Sequence, residues 1–358
     1  KKNLINYYKT STKFKSMDDV LTPKAKTYYK KLYQSEDFSN IDIDCFRRIP
    51  SKRLFKAPHV LIKKGQTNKR FNSSFLIDEC AFKDGVYGIS CDNPISLENN
   101  RLLKAITSFL NSKLATYIFF LTNSSWGVER EQFMLKEVFY LPSLPFEISE
   151  EKVAELAKKI DEITEELKKD FRNHTAIEKL ENEIDEIVYS ALNLTERDRY
   201  LIEDVLTYSL DLFQEGENSK AYYPVNQYND ELNDYLTILG EDINEHFEFS
   251  GTTVWTSIQA MPATNPMRLV AIHFTKENKP GKIKTFSNSI RINKLIRKID
   301  EYSYEKYSAS VYSRKIVKYY DGDVIYIIKP NQKRFWSRSQ AMQDSSSILL
   351  EMANISDE

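Results

Sequence analysis

The stretch that decides the architecture reads Leu102-Leu103-Lys104-Ala105-Ile106-Thr107-Ser108-Phe109-Leu110-Asn111-Ser112-Lys113-Leu114. Across residues 96–121 the apolar side chains Leu102, Leu103, Ile106, Phe109, Leu110, Leu114, Tyr117, Ile118 and Leu121 recur at steps of three and four. That period predicts one core helix, with Ser96 as its N-cap. Upstream, residues 59–63, 75–79 and 86–90 are strand-like runs separated by Gly, Asn and Ser. Strands followed by a long helix, with no repeating strand–helix alternation, predict an α+β class. Still earlier, Thr22 and Pro23 predict a helix to about residue 34.

Downstream of the core helix a polar loop runs through Ser124, Ser125, Trp126 and Gly127 to Arg130 and Gln132. A short run at 137–141 follows, then Leu141-Pro142-Ser143-Leu144-Pro145, where the prolines predict irregular chain and a domain end. Ser149 caps an acidic helix whose apolar positions are Val153, Leu156, Ile160, Ile163 and Leu167. A second set, Ile177, Leu180, Ile184, Ile187 and Ala191, repeats the spacing in another phase, so the segment is either two packed, coiled-coil-like helices or one helix with a slip. Thr195 with Asp198 predicts a capping box for a third helix ending near Phe213, and residues 215–220 read as a linker. Beyond it lie a strand at 269–275, an amphipathic helix at 290–302, strands at 311–319 and 324–328 around Asp321-Gly322, and a closing helix at 338–352. The expected division is a mixed α/β domain over 1–148, a helical connector over 149–215, and a separate α+β domain over 221–358.

The net charge of −1 conceals segregation. Residues 1–104 hold 21 Lys and Arg against 11 Asp and Glu, whereas 151–220 hold 10 against 19. A basic block beside an acidic one suggests a polyanion partner for the first, a solvated basic face being the alternative. Cys45, Cys80 and Cys91 form no CxxC pair, which argues for reduced thiols and a cytoplasmic protein. No run approaches the length of a membrane span, and the opening Lys1-Lys2-Asn3 reads as part of a longer chain.

Several chemistries lack their motifs. Nine glycines form no GxG, so no nucleotide-cofactor loop is evident. Asn93-Pro94-Ile95 and Asn265-Pro266-Met267 lack the second Pro and the aromatic of a loop that holds a flipped adenine. There is no phosphate-binding GxxxxGK[ST], and His59, His174, His246 and His273 have no ligand spacing. They read as surface or structural histidines, and neither a catalytic centre nor a metal site is expected.

Leu110-Asn111-Ser112-Lys113-Leu114, then Ser125-Trp126-Gly127, then Leu141-Pro142-Ser143-Leu144-Pro145 resembles the target-recognition domains of restriction–modification N6-adenine methyltransferases and type I specificity subunits. The segment from Ile184-Asp185-Glu186 through Leu194-Thr195-Glu196 resembles the helical tail of such proteins, so the likeness covers about residues 50–213. It implies a sequence-specific reader of double-stranded DNA that positions a methyltransferase domain or subunit lying elsewhere. S-adenosylmethionine would then bind that partner and not this chain; a restricting system would add a restriction subunit. The resemblance places base contacts on loops, here 63–70 and 124–132. By side-chain chemistry Gln66, Asn68, Arg70, Arg130 and Gln132 suit base edges, and Trp126 suits stacking or domain packing. Lys63, Lys64, Lys69, Arg47, Arg48, Lys52 and Arg53 suit phosphates. Asn111 and Ser112 have a plain alternative role, satisfying backbone at a helix kink. The competing functional reading is a helical scaffold that holds defence or modification subunits, with DNA binding incidental. Residues 329–338 mix cations and aromatics as a nucleic-acid surface does, but an ordinary strand-to-helix connection is the preferred reading there.

Overall fold

A computed structural model describes residues 57–65, 70–71, 73–77, 86–91, 96–123, 132–138, 141–142, 144–169, 173–225, 230–262, 264–277, 283–287, 289–306 and 316–356. The predicted helix at 23–34 lies outside them. The chain is α+β and divides into two units, residues 1–202 and 203–358.

In the first unit, strands β1 (His59–Lys63), β2 (Ser73–Leu76) and β3 (Val86–Ser90) form an antiparallel sheet ordered β2-β1-β3. Central β1 buries His59, Val60, Leu61 and Ile62 completely or nearly so, which accounts for its unbroken apolar run. The single long helix expected from the periodicity is two: α1 (Leu97–Leu110) and α2 (Lys113–Thr122), broken at Asn111 and Ser112. The apolar step of four bridges the break, so period alone does not reveal it. The run at 137–141 begins in a helix. Residues Leu135–Val138 form the short helix α3, and Glu137 accepts from the Met134 amide at 2.6 Å to close its first turn. Nor do the prolines exclude regular structure, because Pro145 is the second residue of α4 (Leu144–Glu147), where a missing N–H is harmless.

The acidic segment is two helices, α5 (Glu150–Lys168), capped by Ser149 as expected, and α6 (His174–Ala191), capped by Asn173. They pack against each other and onto α1 and α2 within the first unit. Ser108 of α1 donates to the Leu156 carbonyl of α5 at 2.8 Å. Residues 149–202 of the expected connector fall in the first unit and 203–215 in the second, and Leu156, Ile160, Ile163, Ile177, Ile184 and Val188 are core residues.

Helix α7 (Glu196–Asp204) begins on the expected capping box: the Asp198 amide donates to Thr195 Oγ1 at 3.2 Å, and Asp198 Oδ2 accepts from the Thr195 amide at 2.9 Å. It continues as a π-helix over Val205–Leu210 and then α8 (Asp211–Glu215). The expected linker after it is folded. Asp211, 1% exposed, accepts from Ser219 Oγ at 2.7 Å and the Lys220 amide at 2.9 Å, so the chain turns back at Gly216.

The second unit is built on a five-stranded sheet of β4 (Thr253–Gln259), β5 (Met267–Thr275), β6 (Lys284–Phe286), β7 (Val317–Asp321) and β8 (Val324–Pro330), ordered β6-β4-β5-β8-β7. All pairs are antiparallel except β4 with β6. Strand alternation sorts the side chains onto two faces. Val254, Ile258, Val270, Ile272, Ile325 and Ile327 meet α9 (Asp230–Phe247) and α11 (Arg338–Ser356). On the opposite face Leu269, Ala271, Tyr319 and Tyr326 meet Ile292, Leu295 and Ile299 of α10 (Ser289–Lys306). Gly240 lets α9 approach β4, since a Cβ there would stand 3.1 Å from Thr256 Cγ2. The hairpin turn is Gly322-Asp323, one residue later than expected, because Asp321 still pairs with Val324 and Gly322 takes the positive φ of 60°.

Tyr208 lies in the π-helical run. Burial foremost, with Glu231 and Asp204 nearby, pushes its phenol from the ordinary 10 up to about 12. A raised pKa means that folding favours the neutral phenol. Its contribution is full below pH 10 and is lost as the pH rises toward 12. The stability difference between wild type and Tyr208→Phe should therefore shrink across that window in urea titrations. A difference that is constant with pH would show that Tyr208 ionises normally.

Candidate nucleic-acid interface

The Leu-Asn-Ser sequence makes a specific joint. Asn111 caps the end of α1, and its side-chain amide docks on β2: Oδ1 accepts from the Ser73 amide at 2.9 Å, and Nδ2 donates to the Ser73 carbonyl at 3.1 Å. Ser112 is the N-cap of α2, accepting from the Ala115 amide at 3.1 Å and donating to the Phe109 carbonyl at 2.7 Å. One residue thus ends a helix while gripping the sheet, and the next starts the following helix. Thr116 adds a second tie by accepting from the Phe71 amide at 3.0 Å.

Arg70 occupies the entry to this joint. Its guanidinium donates to both carboxylate oxygens of Asp185 on α6, at 2.9 and 2.6 Å, and to the Asn111 carbonyl at 3.2 Å. Asp185 also accepts from the Lys113 amide at 2.7 Å, the first residue of α2, where the helix dipole favours a negative charge. The side chains of Arg70 and Asp185 are 13% and 2% exposed. Arg70, expected to read a base edge, is thus placed against a carboxylate of α6. Its fork is engaged by a buried carboxylate, and extracting it would leave that charge only the Lys113 ammonium at 3.6 Å as a cation. Asp185 was not among the expected site residues. The available signal was an acidic pair, Glu181 and Asp185, standing on the buried face of α6 beside Ile177, Ile184 and Val188.

The described ends of the two segments singled out by the resemblance meet. Gly65 forms an antiparallel β-bridge with Gln132, and the Phe133 amide donates to the Lys64 carbonyl at 3.3 Å. Tyr87 of β3 donates its hydroxyl to the Phe133 carbonyl at 3.3 Å and lies beneath the Lys64 ammonium, 5.0 Å from ring centroid to Nζ. Below the bridge, the Phe71 ring stacks on Phe119 at 4.3 Å and meets Phe133 at 4.9 Å, so a rigid aromatic floor supports both chain segments. Gln132 is exposed, and Lys63 and Lys64 are partly so. Gln66, Asn68, Lys69, Trp126 and Arg130 lie outside the described residues, as do Arg47, Arg48, Lys52 and Arg53.

In the stretch 329–338 of the second unit Lys329, Lys333 and Arg338 are paired with carboxylates, and Arg334 lies over the Tyr222 and Phe335 rings. Lys329 and Trp336 are buried, Lys333 pairs with Glu231, and Arg338 pairs with Glu203 at 2.8 Å. That agrees with a strand-to-helix connection. His273 is buried, stacked on Trp255 at 3.8 Å and hydrogen-bonded through Nε2 to Ser257 Oγ at 2.8 Å, while His174 and His246 are exposed. Among the described residues no helix is long and apolar enough to cross a membrane.

No protein-family model matches the chain, and no curated protein matches it.

Proposed function

We propose that residues 1–202 read double-stranded DNA in a sequence-specific manner and position an adenine-N6 methyltransferase domain carried outside this chain. That domain would bind S-adenosylmethionine and hold the flipped base. The observation that carries the reading is the Gly65–Gln132 bridge, which joins the two segments that the resemblance assigns to base contact. Beside it stand Lys63 and Lys64, as phosphate positioning needs, and the floor beneath is aromatic and packed. Gln132 is the described side chain with the donor–acceptor pattern for adenine N6 and N7.

Selection from a randomised duplex library, repeated at two salt concentrations, tests this reading. A defined enriched motif with steep salt dependence supports it, and salt-sensitive binding without enrichment overturns it. On the enriched duplex, Gln132→Ala should cost about 1–3 kcal/mol at one base position and relax the preference there. Lys64→Ala should instead weaken all duplexes alike and lower the salt slope by roughly one. The reverse pattern would exchange the two assignments.

A helical scaffold is the second reading. It is favoured by a charged groove between α5 and α6, lined by Lys158, Lys159, Glu178 and Glu183. That reading requires neither salt-steep binding nor enrichment.

A further inference from the structure

Asp185 stands on α6, 72 residues beyond the backbone amide it caps and 115 beyond the guanidinium it grips. A carboxylate that is 2% exposed is costly to bury, so its partners must match it closely. It accepts three hydrogen bonds, two from Arg70 and one from the Lys113 amide, and the Lys113 ammonium stands 3.6 Å away. Glu181, one turn earlier, lies 3.8 Å from Arg70 Nε and backs the same cation. Each donor belongs to an element that frames the candidate interface. Arg70 leads directly into Phe71, whose ring carries Phe133 and hence the Gly65–Gln132 bridge. Lys113 opens α2, which holds Phe119 of the same floor and Thr116, the acceptor of the Phe71 amide.

We infer that Asp185 is a positioning residue for base selection, fixing through Arg70 and the N-terminus of α2 the height and angle of the aromatic floor under the DNA-reading segments. The inference rests on the proposed reading of DNA, and it assigns to helix α6 a part in specificity rather than a connector's role. No contact between Asp185 and DNA is involved. The carboxylate acts only through the two groups it holds.

The test is Asp185→Asn in the full chain, an isosteric change that keeps an acceptor for the Lys113 amide and removes the charge that grips Arg70. Two measurements are made. Hydrogen exchange over residues 70–76 should quicken by about tenfold, as loss of a charge-assisted hydrogen bond allows, with β5 and β8 of the second unit unchanged. Binding should then be compared between the enriched duplex and a scrambled one. A purely structural lesion lowers the active fraction and shifts both affinities by one factor, leaving their ratio intact. Mispositioning lowers the ratio, here by about fivefold or more, with scrambled-duplex affinity retained because phosphates supply it. Asp185→Glu, which keeps the charge, should restore part of the ratio.

Faster exchange with an unchanged ratio would reduce Asp185 to a structural anchor and overturn the inference, and unchanged exchange would overturn it as well. If the wild-type chain enriches no duplex, the DNA reading itself fails. The exchange result then still reports whether Asp185 holds the floor.

Discussion

Replacing Lys329 by Met should cost about 3–5 kcal/mol of stability, the penalty for stranding a buried charge. Lys329 is 1% exposed, and its ammonium pairs with Asp344 of α11 while donating to the Phe335 carbonyl at 3.0 Å. The rings of Tyr235 and Trp336 stand 4.7 and 5.4 Å from the same nitrogen. Asp344 also accepts from the Tyr235 hydroxyl at 2.7 Å, and burial together with that carboxylate holds the Tyr235 phenol protonated well above its ordinary range. Without the ammonium, Asp344 keeps a single neutral donor among these partners. The double variant Lys329→Met with Asp344→Leu should recover most of the loss, because the charge and its desolvation are removed together. Urea unfolding of the two variants decides. A single variant within about 1 kcal/mol of wild type would show that the pair is solvated rather than buried.

The second large effect is expected at Phe71. Its side chain is fully buried and stacks on Phe119 with an interplanar angle of 8°. Phe71→Ala should cost about 3–5 kcal/mol, since Phe119 is held in α2 and Phe133 is tied by its amide to the Lys64 carbonyl, so neither ring can readily collapse into the gap. Phe71→Leu keeps most of the volume and should cost under about 1.5 kcal/mol. Both variants retain the Phe71 amide bond to Thr116. Urea midpoints at constant m measure the difference, and equal losses in the two variants would mean that the lost ring stacking, common to both, and not the cavity is the source. Because Phe133 follows Gln132, the Ala variant should also lose selection between duplexes before it loses salt-dependent binding.

Much of the scaffold can be read from residue order. Ser96, Ser149, Asn173 and Thr195 are caps in the structure because a short polar side chain beside an amide has one local use there. Strands β1 and β3 sit where their β-branched and aromatic runs place them. The two-phase pattern across 153–191 left open one helix or two, and packing against α1 and α2 settles it as two. The helix at 135–138 escaped notice because four residues show no period, and its stability comes from the Glu137 side chain closing on the Met134 amide.

The candidate site divides along the same line. Sequence by itself determined the α+β class, most of the caps and the apolar faces, since each depends on spacing within a dozen residues. It assigned Arg70 by chemical type, as a cation in a polar loop, and could not show its carboxylate partner. Only the tertiary structure brought Asp185 to Arg70 across 115 residues of chain, and only it joined Gly65 to Gln132. The reason is physical. A guanidinium has the same donors whether it meets a carboxylate or a guanine, and which of them it meets depends on folding the distant helix α6 against the sheet.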